Sequence, residues 1–429
     1  MDRTIIARFA EWKDKPSRKP LIVKGARQVG KTWALKEFSR RCFAKTAYVT
    51  FFKNQRMKDV FEGDYDMKRI LTNLNIECKT EVTAGDTLII LDEIQECPRA
   101  LEALKYFCED APQYAVAAAG SLLGLALHKD VSFPVGKVDT MEMYPLTFRE
   151  FLAAMGESQL AALLTSDDTA LINDFHGTYL YWLKNYLYTG GMPAVVQFFS
   201  EHKDYEAVRA MQNQILADYI TEFAKHISKE QLSRVRLVWN SVPMQLAKEN
   251  KKFFFGKIKE GARAKEFEEA IELLKDCGLI TKVHKVSKPA VPLKTYTDFT
   301  AFKLYFVDVG LLGAHAGLDA SSILDGNELF VEFKGALTEQ YVLQQLVSDT
   351  SCEPYYYAGE KATYELDFLI QQHGAIVPIE VKAGENVRSK SLSFFREKYA
   401  NKTAVRFSLA RCCTQDWLTN LPLYAVARL

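Results

Sequence analysis

The stretch Pro20-Leu21-Ile22-Val23-Lys24-Gly25-Ala26-Arg27-Gln28-Val29-Gly30-Lys31-Thr32-Trp33 decides the fold of the N-terminal part of this chain. Its first five residues form the short apolar run of a buried strand. Trp33-Ala34-Leu35-Lys36-Glu37-Phe38 continues with helical spacing. Between them lies Gly-x4-Gly-Lys-Thr, and a strand, a glycine loop and a helix in that order are what a phosphate-binding loop requires. Gly25 and Gly30 let the backbone wrap closely round phosphate oxygens. The N–H groups of Ala26, Arg27, Gln28, Val29 and the new helix start through Trp33 aim positive dipole at the same oxygens. Lys31 is expected to reach the β- and γ-phosphates of ATP, and the Thr32 hydroxyl to ligate Mg2+.

Downstream, Gly85-Asp86 reads as a turn and Thr87-Leu88-Ile89-Ile90-Leu91 as a strand buried on both faces, ending in Asp92-Glu93. The carboxyl ends of such strands are where open α/β sheets place ligands. Asp92 is expected beside Thr32 in the Mg2+ shell, and Glu93 is expected to polarise the attacking water. Tyr114-Ala115-Val116-Ala117-Ala118-Ala119-Gly120-Ser121 reads as a further central strand. Ser121, at its end, is either a sensor of the γ-phosphate or a helix N-cap. Thr147 and Glu150 have the spacing of a capping box.

The chain has 429 residues with 55 Lys+Arg against 54 Asp+Glu, so it is coated in neither sign of charge. An apolar share of 48% excludes a mostly disordered chain. The start lacks a basic segment followed by a long apolar run, and the stretch Tyr114–Leu127 is too short for a membrane helix. Eight cysteines without a CxxC pair read as reduced cytosolic thiols, and the histidines have no zinc spacing. A cytoplasmic protein with no membrane partner is expected.

The phosphate loop, Leu91-Asp92-Glu93-Ile94-Gln95, Ala119-Gly120-Ser121 and Tyr144-Pro145-Leu146-Thr147-Phe148-Arg149-Glu150-Phe151-Leu152 together resemble a family of bacterial and archaeal AAA-type ATPases that carry a C-terminal domain of unknown function. The likeness continues through Tyr188-Thr189-Gly190-Gly191-Met192-Pro193, the Phe302–Leu312 stretch and Ile379-Glu380-Val381-Lys382-Ala383-Gly384. It implies ATP binding, ATP hydrolysis and a cytoplasmic location, with no known substrate. The chain has Gly136-Lys137 where similar proteins usually have Gly-Arg, and Lys137 keeps the charge without the bidentate fork. Arg27 and Arg149 are the other candidates for a γ-phosphate charge stabiliser.

The expected architecture is α/β in three parts. A doubly wound P-loop parallel sheet (1–149) carries a helical lid (150–225), with breaks at Gly156, Gly177 and Gly190–Pro193. The aromatic run Phe175–Tyr188 reads as core packing before base stacking. A winged helix is expected over 226–295, with helices at Glu230–Asn240, Pro243–Glu249 and Arg263–Asp276. Its two strands are expected at Leu279–Val283 and Val286–Lys294. Lys248, Lys251, Lys252, Lys257, Lys259, Arg263 and Lys265 form a basic stretch suited to phosphate contact, although Glu266, Glu268, Glu269 and Glu272 on the third helix oppose DNA.

The last part (296–429) holds Glu339 on a helix, Asp367 on an alternating strand, and Glu380 and Lys382 on the next strand. Residues two apart in a strand share a face. Asp, twelve residues, then Glu-x-Lys, with an upstream helix Glu, resembles the restriction-endonuclease-like nucleases. The resemblance implies that Asp367 and Glu380 hold a metal ion, and that Lys382 orients water or stabilises charge on a phosphodiester. The other reading is a decayed site with a Glu380–Lys382 ion pair. Two functions follow: an ATPase that loads a nuclease-like domain on DNA, or a nucleotide-dependent switch whose inactive C-terminal domain docks a protein partner.

Overall fold

The computed structural model describes residues 1–120, 133–248, 251–326, 331–350, 352–359, 364–385, 389–401 and 403–429. Two compact bodies divide them: one holds residues 2–144 with 276–279, the other residues 145–275 and 280–429.

The first body is built on five parallel strands: β1 (Leu21–Lys24), β2 (Lys45–Thr50), β3 (Thr87–Asp92), β4 (Ala115–Ala119) and β5 (Asp139–Glu142), in the order β2-β3-β4-β1-β5. All residues of β3 and β4 are buried. The alanines of β4 let it sit between β1 and β3, with Ala117 paired to both Leu21 and Ile90. The carboxyl ends of β1 and β3 therefore lie on either side of the inserted strand, where the glycine loop and Asp92 emerge. The Lys31–Cys42 helix follows the loop directly and buries Ala34, Leu35 and Phe38.

The second body begins with the Phe148–Ala154 helix, whose start carries the expected capping box between Thr147 and Glu150. Gly177 lies inside the His176–Thr189 helix instead of breaking it. Tyr179, Trp182, Tyr186 and Tyr188 of that helix are buried, so these aromatics pack the core.

Pro243 does not open a second helix: one helix runs Lys229–Leu246 with the proline inside it. The Ala264–Asp276 helix is present, followed by β6 (Ile280–Val286). The hairpin partner of β6 is β7 (Thr297–Phe306), and 287–296 is the connection. Pro289 and Pro292 have no N–H for a ladder, which explains the shift.

An eight-stranded mixed sheet continues from this hairpin, in the order β12-β13-β11-β10-β9-β8-β6-β7. Its other members are β8 (Tyr355–Ala358), β9 (Glu365–Gln372), β10 (Ala375–Val381), β11 (Ala404–Ser408), β12 (Cys413–Gln415) and β13 (Leu418–Pro422). A two-residue turn at His373-Gly374, both at positive φ, joins β9 to β10. Because β6 bridges to β8, the boundary expected at 295/296 falls inside one continuous sheet.

A buried polar junction explains two of the sequence motifs in this body. The Asp308 carboxylate accepts from the N–H groups of Gly191 (2.6 Å) and Leu311 (3.0 Å). Gln344 bonds Val309 N–H and donates to Asp308 and Tyr186. A Cβ on Gly190 would lie 2.1 Å from Asp308 Oδ1, and one on Gly310 would lie 2.6 Å from the Thr189 carbonyl oxygen. Gly190-Gly191 and Asp308-Val309-Gly310 are thus two halves of one close backbone approach, a packing role.

Candidate nucleotide site and acidic cluster

Gly25 stands at φ +139°, and a Cβ there would lie 2.1 Å from the Met143 carbonyl oxygen. Gly30, at φ +93°, caps the Lys31–Cys42 helix. Arg3 braces the loop from behind, donating to the carbonyls of Val29 (3.0 Å) and Tyr144 (2.6 Å). Ala26 and Val29 are buried, and Trp33 is exposed. The turn at Gly278 also rests on this loop, where its Cβ would lie 3.0 Å from the Ala26 nitrogen.

Lys31 is buried, and its Nζ donates to the loop carbonyls of Gly25 (2.8 Å) and Ala26 (2.7 Å). Burial pulls its ammonium down to about 8, against the pull of Glu93 and Asp92 in the other direction. The Thr32 hydroxyl donates to Asp92 Oδ2 at 2.8 Å, so the two expected Mg2+ ligands are adjacent. Asp92 is buried and also receives the Glu93 N–H. Glu93 sits in the left-handed region at φ 50°, and its carboxylate accepts from Gln95. A hydroxyl and one carboxylate suit Mg2+, which takes few protein ligands and completes its shell with water and phosphate oxygens.

The sequence reading missed Tyr48, whose hydroxyl donates to Asp92 Oδ2 at 2.9 Å. Burial and Asp92 push its phenol up, so it stays a donor. Its place beside Asp92 comes from the parallel pairing of β2 with β3, which no motif in the sequence announces. Ser121 lies outside the described residues. Lys137 pairs with Glu109 at 2.8 Å, and Arg149 pairs with Asp349 at 3.4 Å.

In the second body, Asp367 on β9 and Glu380 on β10 occupy neighbouring strands. Ile379 pairs with Phe368, and Asp367 Oδ2 accepts the Val381 N–H at 2.7 Å. Lys382 lies on the same face as Glu380 and reaches its Oε1 at 2.7 Å. Glu380 is only 5% exposed, and its Oε2 is buried with no hydrogen-bond partner. That orphaned oxygen fits a single ion held with Asp367. Among the described residues, no three His, Cys, Asp or Glu side chains are grouped to hold a metal ion.

Glu339 comes to the same region with its oxygens already taken. Oε1 accepts from Lys303 (3.2 Å) and from the Tyr305 hydroxyl, and Oε2 accepts from Lys251. Burial works against ionisation of Glu339, yet Lys251 and Lys303 hold its carboxyl down. Burial, and then the charge of Glu339, push the Asp367 carboxyl up. Lys251 therefore points into the protein and leaves the basic stretch expected to meet phosphates. Lys303 was missed, although a lysine in the apolar run Ala301-Phe302-Lys303-Leu304-Tyr305-Phe306 was a legible sign of a buried charge. Arg406 on β11 is paired in register with Glu380, is buried, and bonds Asn420 at 2.9 Å.

Three family models match parts of the chain. Residues 17–152 match a family model described as an AAA domain. Residues 180–322 and 334–425 match two domains of unknown function, DUF8612 and DUF4143. No curated protein matches the chain. Among solved structures, a Walker-type ATPase of Pyrococcus abyssi is similar at 13% identity, covering 73% of this chain and 95% of its own, with a TM-score of 0.46. The Aeropyrum pernix ORC1 protein in complex with DNA is similar at 12% identity over 73% of this chain and 91% of its own, with a TM-score of 0.28. Drosophila ORC bound to DNA stands at 13% identity, 73% and 95%, with a TM-score of 0.27. The N-terminal body is a P-loop ATPase domain of the AAA type. No helix among the described residues is long and apolar enough to cross a membrane.

Proposed function

We propose that this chain is a cytoplasmic ATPase that binds and hydrolyses ATP with Mg2+, and that turnover drives a C-terminal nuclease-like domain acting on or binding DNA. The observation that carries the ATPase reading is the 2.8 Å contact between Thr32 and Asp92 beside the Lys31 loop. Thr32 and Asp92 would hold the Mg2+, which would offset phosphate charge. Lys31 exchanges its two loop carbonyls for phosphate oxygens, and the loop N–H groups orient the chain of phosphates. Glu93, next to Asp92, positions the attacking water. Ser121 remains the proposed γ-phosphate sensor.

For the C-terminal domain, the run of helix, three strands, helix and strand from 331 to 408 supports the nuclease-like reading, as does the placement of Asp367, Glu380 and Lys382. Asp367 and Glu380 would hold one metal ion, which would supply an activated water, and Lys382 would stabilise charge on the phosphodiester. The Ala264–Asp276 helix with the β6–β7 hairpin supports the winged-helix reading.

A second function is favoured by Glu339, whose oxygens are both engaged by lysines. In it the C-terminal domain is catalytically inactive and docks a protein partner, and the chain is a nucleotide-dependent switch. One paired assay separates them. Glu93→Gln is expected to keep nucleotide binding and lose turnover, and normal turnover in that variant sinks the ATPase assignment. Plasmid nicking with Mg2+ and ATP that disappears in Asp367→Ala supports the nuclease. Its absence in the parent protein favours the docking reading.

A further inference from the structure

We infer that the ammonium groups of Lys303 and Lys251 are the resident cations of the Glu339–Glu365 pocket, so that this side of the acidic cluster takes lysine where a divalent metal ion would otherwise sit. Lys303 Nζ lies 3.2 Å from Glu339 Oε1 and 2.6 Å from Glu365 Oε1. No part of the Lys303 side chain reaches solvent. Its stem is fixed by β7, where Lys303 pairs with Val283, and its ammonium lies 4.9 Å from the centre of the Tyr356 ring. Lys251 closes the other oxygen of Glu339. A divalent ion at Glu339 has to displace one of these ammoniums. The Lys303 side chain is shielded from solvent, and a divalent ion beside two ammoniums is repelled strongly at low dielectric.

The donor set also argues for lysine. Glu339 already receives the Tyr305 hydroxyl besides the two lysines, so both lone-pair directions of Oε1 are taken and Oε2 is shared with Lys251. The inference deepens the nuclease-like reading, and rests on it only for the claim that Asp367 and Glu380 are the remaining metal ligands. It limits that domain to one ion, and it holds equally if the domain never cuts DNA.

The test counts Mn2+ bound by nucleotide-free, full-length protein, using electron paramagnetic resonance of free Mn2+. Glu339→Gln is expected to bind as many ions as the parent. Lys303→Met is expected to bind one more, and Lys303→Met/Glu339→Gln to lose that extra ion. Loss of an ion in Glu339→Gln overturns the inference, as does no gain in a folded Lys303→Met. If Lys303→Met does not fold, anomalous diffraction from Mn2+-soaked parent crystals decides. A peak at Glu339 rejects the lysine assignment, and its absence there with Mn2+ at 10-fold excess supports it. Failure of the nuclease reading would show separately, as a parent protein with no Mn2+ between Asp367 and Glu380.

Discussion

Lys31 and Lys303 are both buried lysines set among carboxylates at the edge of a sheet, and they are opposites. Lys303 bonds two carboxylates, and Glu339 and Glu365 raise its ammonium above the usual range although burial alone would lower it. Lys31 bonds neutral carbonyls, and its ammonium is pulled down to about 8. A buried cation already met by anions is a fixture of the fold. One met by dipoles alone still lacks its countercharge, and a phosphate supplies it. The comparison separates a site waiting for a ligand from a cluster that contains its own.

Exchanging the roles is the strongest way to break this contrast. Lys303→Met leaves the buried Glu339 with Lys251 alone and takes one partner from the partly exposed Glu365, and is expected to cost about 3 kcal/mol of stability. Adding Glu339→Gln is expected to restore part of that loss. Nucleotide affinity of the folded fraction stays unchanged. Lys31→Ala is expected to do the reverse, with stability nearly intact and ATP affinity down about 100-fold, roughly 2.7 kcal/mol. Denaturant melts and nucleotide titrations on both variants check this. A Lys31→Ala protein that binds ATP normally, or a Lys303→Met protein as stable as the parent, ends the comparison.

How far the sequence reveals each region follows the same line. Lys31, Thr32, Asp92 and Glu93 were legible because phosphate chemistry needs fixed residue types at fixed spacing within about 70 residues of one another. That β3 and β4 are buried central strands followed from their being apolar throughout. Tyr48 was not legible, since its role depends on β2 lying beside β3. In the second body the partners follow no motif spacing. Lys251, Lys303 and Glu339 meet across 88 and 36 positions of sequence. The apolar run around Lys303 marks a buried charge, but only the fold of the second body shows which carboxylates it meets. Pro243 misled for a related reason, because a buried face on Val238, Trp239, Val242 and Leu246 holds the helix together across it.

A lysine-free contrast sits between Arg149 and Asp349. This pair is buried on the acid side but spaced at 3.4 Å, and burial pushes the Asp349 carboxyl up to about 6 from 3.8. The folded-state value lies above the unfolded one, so the protonated form is favoured in the fold. Its contribution to stability is therefore full below pH 4 and is lost as pH rises through 6. The span corresponds to about 2–3 kcal/mol. Asp349→Asn is expected to flatten the stability profile between pH 4 and 7. Thermal melts of both proteins across that range check it, and parallel profiles reject the assignment.

Tyr48 gives the smallest effect and the finest test of the waiting site. Its hydroxyl and that of Thr32 both donate to Asp92 Oδ2. If Thr32 turned to a metal ion, Tyr48 would be the remaining side-chain donor to Oδ2, with the Glu93 N–H on Oδ1, a positioning role like that of other partners behind metal ligands. Tyr48→Phe keeps the ring under Lys36, whose ammonium lies 3.6 Å from its centre, so packing is preserved. The expected outcome is about a tenfold rise in the Mg2+ concentration for half-maximal ATPase rate, roughly 1.4 kcal/mol. The maximal rate and the half-saturating ATP concentration at high Mg2+ stay near those of the parent. A shift in the ATP dependence with no shift in the Mg2+ dependence would mean that Tyr48 supports the phosphate loop and not Asp92. The Lys31 site would then owe its readiness to the loop alone.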